Sequence, residues 1–112
     1  NCNILSALYL NNKQHHEIKT RINHLAPNCT SYQKVKNVLN SESKGIFQGK
    51  IHVRDVAQKT DAYQLSKALL LNDNAEFNSK PELEIYADDV KCSHGSTSGS
   101  IDEDSLYYLK AR

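Results

Sequence analysis

The sequence predicts a mainly β chain made of many short strands: a sandwich, a barrel or a solenoid. Three observations carry that reading. Apolar and polar residues alternate in several short runs. Clusters of turn formers separate those runs. The gaps between them hold few residues at helical spacing.

In chain order, "SALYL" and "TRINHL" are weak alternations, the second setting Ile22 and His24 against Asn23 and Leu25. "KIHV" puts Ile51 and Val53 on one side and His52 and Arg54 on the other. "DAYQLSKALLL" admits a loose amphipathic helix through Tyr63, Leu65, Ala68, Leu69 and Leu71. We prefer a strand there, because "LLL" runs straight into the turn-forming "NDN". "ELEIYA" points Leu83, Ile85 and Ala87 one way and Glu82, Glu84 and Tyr86 the other. Ile51, Val53, Leu83 and Ile85 are therefore expected to share an apolar core. The turns are assigned to "LNSESKG", "LNDNAEFNSKP" and "HGSTSG". Asn40, Asn72, Asn74 and Asn78 fall there, where asparagine tolerates left-handed backbone. Apolar clusters near Val53, Leu71 and Ile85 lie 18 and 14 residues apart. That is too irregular for a strict repeat, yet compatible with β-helix coils whose corners differ in length.

The period changes in "SIDEDSLYYLKAR". Asp102 suits a helix N-cap, Glu103 and Asp104 its first turn, and Lys110 and Arg112 its basic end. Ile101 and Leu106 fit a hydrophobic staple. A C-terminal helix is expected to begin near residue 102, with Leu106, Tyr107 and Leu109 needing a partner.

Composition narrows the function classes. The 112 residues make one domain or a piece of one; a start at Asn1 and no methionine read as a fragment or processed product. Net charge is +1 with both signs interspersed, so no basic stripe points to nucleic acid. No window approaches the ~18 apolar residues of a membrane span. Apolar residues are 38% of the chain, with no Trp and two Phe, which makes a thin or shared core. Cys2, Cys29 and Cys92 cannot all pair within the chain, so reduced thiols and a cytoplasmic location are expected. Asn28-Cys29-Thr30 fits a glycosylation pattern and is read as chance.

The candidate site is "DVKCSHGSTSG". Residues two apart on a strand share a face, so Cys92 and His94 can converge on one ligand. Thiolate with imidazole suits zinc, iron or an iron–sulfur centre, but a closed site takes about four ligands. A site here needs completing from elsewhere. The bland reading is that strict alternation buries both residues behind Val90, with the thiol packed and the imidazole hydrogen-bonded. Gly95 reads as the end of the strand, which would expose His94. A Cys–His nucleophile pair fits poorly, because neighbours on one strand face stand side by side. His15-His16 reads as a solvated loop pair and Asp88-Asp89 as a corner. "FQGKI" lacks the spacing of a phosphate loop.

"GIFQGKIHVRDVAQKTDAYQLSKALLL", "AEFNSKPELEIYADDVKCSHGSTSG" and "DEDSLYYLKAR" together resemble the C-terminal core of the SufB/SufD family, scaffolds of iron–sulfur cluster assembly in the SUF system. The resemblance runs from about Ile22 to Arg112; residues 1–21 match loosely. "KCSHG" followed by "DEDSLYYLKAR" is similar to the SufD branch, whereas the SufB branch typically has an "EHEA" type of stretch. The resemblance implies a right-handed parallel β-helix over residues 1–100, followed by the start of a helical domain over 101–112. It implies a non-catalytic scaffold, a SufB-type subunit paired through the terminal coils, and a SufC-type ATPase bound through C-terminal helices. It places His94, with Cys92 beside it, at a shared site handling a transient iron–sulfur cluster that this segment alone is not expected to hold. The competing readings are a β-helix enzyme acting on polysaccharide, for which Asp88, Asp89 and Lys91 are the close candidates, and a purely structural β-solenoid. The exposed first coil is expected to dimerise or to be covered by residues 1–21.

Overall fold

The computed structural model describes residues 1–100. Seven strands make two parallel sheets: β1 (Cys2–Leu10), β2 (His15–His24), β3 (Thr30–Leu39), β4 (Lys44–Val53), β5 (Asp61–Leu70), β6 (Glu76–Ile85) and β7 (Lys91–Ser100). Odd strands stack in the order β1-β3-β5-β7 and even strands as β2-β4-β6. The chain alternates between the sheets, so each odd–even pair is one coil of a parallel β-solenoid. Three coils and the first strand of a fourth are present.

Register defines the repeat. Cys2 pairs with Ser31, Thr30 with Asp61 and Asp61 with Lys91, steps of 29, 31 and 30 residues. His15 pairs with Lys44 and Lys44 with Glu76, steps of 29 and 32. The coil period is therefore about 30 residues, and the spacings of 18 and 14 visible in the sequence are unequal half-coils.

One corner repeats most plainly. Asn11, Asn40 and Asn72 each offer a backbone carbonyl to the amide three residues on, at 3.1–3.2 Å. Side chains reinforce all three turns, with Asn11 Oδ1 accepting from Asn12 N, Asn40 Oδ1 from Ser41 N and Asn72 Oδ1 from Asn74 N. Left-handed backbone falls on Asn12, Asn28, Ser41 and Lys59, not on Asn40, Asn72, Asn74 or Asn78. Asn40 and Asn72 act through their side chains, Asn74 gives its backbone N–H, and Asn78 lies within β6.

Inward positions make two apolar clusters. Leu10, Leu39, Ala68 and Ala75, with Leu70 and Phe77, fill the lumen at the end where the odd strands finish. Ile51, Val53, Ala57, Ala62 and Ala87, with Leu83, Val90 and Cys92, fill the other end. Burying an Ile- or Leu-sized side chain is worth roughly 1.5–3 kcal/mol. Between the clusters the lumen has a polar waist: Gln33, Gln64 and Ser66 are buried, and Thr20 Oγ1 donates to Gln33 Oε1 at 2.7 Å.

Several expectations change. "EFNSKP" is strand, not turn; β6 is an outer strand of its sheet among the described residues, where Pro81 costs no central ladder bond. "HGSTSG" is also strand, because each of its residues has a register partner on β5, from Gln64 to Leu69, so Gly95 lies mid-strand. "DAYQLSKALL" is strand β5, the reading preferred from its sequence. His15 and His16 open β2 instead of lying in a loop, and both are exposed. Ile85 shares the inward parity of Ile51, Val53 and Leu83 but is 38% exposed, since no further coil covers β6 among the described residues. Residues 1–21 form the first coil itself and do not cap it. The helix expected from residue 102 lies outside the described residues.

Candidate functional site

Cys92 and His94 sit on β7, in register with Ala62 and Gln64 of β5. Ala62 and Gln64 are inward-facing and buried, so the same parity directs Cys92 and His94 to the lumen side. Their fates differ. Cys92 is half-buried against the Ile51–Ala62 cluster, while His94 is exposed. The alternation that predicts burial for both is correct in direction, but β7 has no even-sheet strand opposite it among the described residues.

Burial pushes the Cys92 thiol up from its usual range, and the Asp61 carboxylate adds to this against a smaller opposing hydrogen bond at Ala62. The thiol is therefore held as a poorer ligand and nucleophile than an exposed cysteine. Cys2, Cys29 and Cys92 are all free thiols. Among the described residues no three His, Cys, Asp or Glu side chains converge as a metal site. Cys92 and His94 are two donors on one face, and any site they belong to must draw its remaining ligands from elsewhere.

Backbone direction adds a second property. Lys91 N donates to Thr60 O at 2.8 Å, which aims the odd-numbered amides of β7 at β5. Successive residues of a strand point their backbone groups to opposite sides. The N–H and C=O groups of Cys92, His94, Ser96 and Ser98 thus face the edge of the sheet that no strand covers among the described residues.

Other candidates remain apart from this pair. Asp88 and Asp89 form an exposed corner, as their sequence suggests. Asp89 lines a notch with Lys59, Thr60, Asp61, Val90 and Lys91, where no aromatic platform is present. His52 and Glu84 face outward but are joined: Glu84 takes Lys50 Nζ at 2.9 Å and His52 Nδ1 at 3.0 Å. His24 is buried beside Ser31, with His24 Nε2 3.0 Å from Ser31 Oγ.

Sequence reading misses the polar waist. Ser66 Oγ lies 2.8 Å from Ser79 Oγ and 3.2 Å from Ser96 Oγ, linking three strands across the lumen. The signal was present in "SYQKVKNVL", where Tyr, Lys and Val alternate with Gln, Val and Asn, but hydrophobicity does not reveal which side faces in.

A family model described as "SUF system FeS cluster assembly, SufBD core domain" matches residues 1–112. The chain is 42% identical over 96 residues to iron-sulfur cluster assembly protein SufD of Escherichia coli, covering 86% of this chain and 23% of that protein. It is 41% identical over 91 residues to a SufBD family protein of Synechocystis, covering 81% of this chain and 20% of the relative. Against protein ABCI7, chloroplastic, of Arabidopsis thaliana, it is 47% identical over 75 residues, 67% of this chain and 16% of the relative. The chain thus spans about a fifth of the length of these curated relatives. Matched along its whole length by that core-domain model, and similar to SufD among its relatives, the chain belongs to the SufBD family of iron–sulfur cluster assembly proteins.

Proposed function

We propose that this chain is a SufD-like scaffold segment that supplies one half of a nascent-cluster site. Cys92 and His94 are its contribution, and a SufB-type subunit completes the ligand set. A SufC-type ATPase binds through helices beyond the β-solenoid. The iron–sulfur cluster is the cargo of the complex, and the chain itself performs no catalysis. The observation that carries the reading is the placement of a thiol and an imidazole on one face of an outer strand, with backbone groups free beside them and no third ligand among the described residues.

The polysaccharide-enzyme reading lacks comparable support: the Asp89 notch mixes two carboxylates with two lysines and has no sugar-stacking ring.

The test uses the full-length protein with its SufB-type and SufC-type partners, reconstituted with ferrous iron and sulfide. His94→Ala should leave subunit co-purification intact and lower cluster yield at least tenfold, because a shared ligand set does not keep its geometry with one donor removed. Cys92→Ser should give a smaller loss. Wild-type cluster yield in His94→Ala rejects the site, and so does loss of folding in that variant.

A further inference from the structure

Four buried side-chain atoms lack a hydrogen-bond partner among the described residues: Gln33 Nε2, Asn37 Oδ1, and both Nε2 and Oε1 of Gln64. Native interiors seldom leave such groups unpaired. Three of the four belong to one row. Gln33, Gln64 and His94 hold the same register position on β3, β5 and β7, and Thr20 reaches the row from the opposite sheet at Gln33. Gln64 is 1% exposed, and its amide lies over Gly49, whose missing side chain leaves the space.

Neighbouring strands stand about 4.8 Å apart, a spacing at which stacked glutamine amides hydrogen-bond along the axis. An amide's oxygen and nitrogen exchange places by a half-turn about its terminal bond. One arrangement pairs all three orphans. A half-turn of the Gln33 amide lets its Nε2 donate to Thr20 Oγ1 and turns its Oε1 to the row. Neither Gln64 amide atom meets a partner as placed, and a turn of the Gln64 side chain along the row would bring its Nε2 to Gln33 Oε1 and its Oε1 to the next residue, His94.

We propose that Gln64 is a positioning residue for His94: its amide oxygen accepts one ring N–H, which fixes the imidazole tautomer and turns the other nitrogen's lone pair to the open face. Histidines that bind metal generally have their second ring nitrogen held in this way. The inference deepens the proposed role of His94 and rests on that role for its purpose. Its test needs no cluster.

The experiment is ¹⁵N NMR on full-length protein labelled at histidine, with the His94 signals assigned by their loss in His94→Ala. Above the imidazole titration range, wild type should show one ring nitrogen protonated and one bare. Gln64→Leu should give the averaged shifts of two exchanging tautomers. Gln64→Glu should restore the single tautomer, because a carboxylate accepts the same N–H. If Gln64→Leu does not fold, Gln64→Asn, one methylene short, should give the averaged shifts. Averaged shifts in wild type, or a single tautomer retained in Gln64→Leu or Gln64→Asn, overturns the inference. A single tautomer lost in Gln64→Leu, together with wild-type cluster yield in His94→Ala, keeps the row and removes the assembly role. A tautomer unchanged in Gln64→Leu, together with lost clusters in His94→Ala, removes the row alone.

Discussion

Gln64 and Gly49 oppose each other across the lumen: the Gln64 amide occupies the place a β-carbon on Gly49 would take. The Phe47 ring stands 2.9 Å from the same point and is itself buried. A glycine here is a packing requirement, since its backbone conformation is ordinary for any residue.

Gly49→Ala should therefore destabilise the fold by about 1–3 kcal/mol, the usual cost of overpacking. The Gln64 amide can swing aside; the Phe47 ring cannot. Gly99→Ala is the control, with nothing within 4 Å of its added carbon, and should shift stability by less than about 0.5 kcal/mol. Urea unfolding midpoints of the two variants decide it. Equal midpoints would show that the lumen yields at Gly49.

Ile51 and Ile85 share a face and differ in cost. Ile51 is fully buried under two neighbouring coils, whereas Ile85 is 38% exposed on β6. Ile51→Ala should cost about 2–5 kcal/mol. Ile85→Ala should cost under about 1 kcal/mol in residues 1–112 alone, by thermal or urea melting. A partner or further coil stacked on β6 would raise the Ile85 cost toward that of Ile51.

That contrast shows what was legible. Period-two alternation identifies which residues face inward, and it does so correctly for Ile51, Val53, Leu83, Cys92 and His94. It cannot say which coil lacks a neighbour among the described residues, and so misjudges Ile85 and leaves His94 open. The 30-residue period was hidden because corners of unequal length split it, although the turns at Asn11, Asn40 and Asn72 mark it once aligned. Strand β7 was unreadable by propensity: glycine and serine are poor strand formers, and "HGSTSG" is held by the β5 ladder instead. The Cys92–His94 pair was visible from spacing. Gln64 was not, because a buried glutamine looks like a solvated one in sequence.

Two side chains set the response to acid. Hydrogen bonds from Lys50, then His52, hold the Glu84 carboxyl below its ordinary value of 4.5. A depressed carboxylate stabilises the fold above its unfolded pKa, and that stability is lost as pH falls below 4.5 through the folded value. Glu84→Gln should flatten this limb of a stability–pH curve. His24 works earlier. Burial pushes its imidazole below 6.5. The unfolded chain then takes up a proton that the folded chain resists, so stability falls as pH drops below 6.5 and levels off once the folded histidine is protonated. His24→Gln should remove that limb, read by urea midpoints between neutral and mildly acid pH. A curve unchanged in both variants would place the acid sensitivity elsewhere.

The free edge of β7 makes the last prediction. Even-numbered residues of β7 direct their backbone groups away from β5, and unpaired strand edges recruit further strands. A partner strand added there would lie directly beside Cys92 and His94. Proline at an even position deletes one edge donor without touching the β5 ladder. Ser98→Pro is suited to this, since Ser98 is exposed and the Ser66–Ser79–Ser96 link is left in place. The full-length variant should keep its circular dichroism spectrum and lose about tenfold in affinity for a SufB-type subunit by calorimetry. Residues 1–112 alone should dimerise through the same edge, and Ser98→Pro should move them toward monomer in light scattering. Ser93→Pro, which removes a donor to β5, should instead weaken folding. If Ser98→Pro leaves both associations unchanged, the partner does not dock by strand addition at β7, and the completing ligands reach Cys92 and His94 from another face.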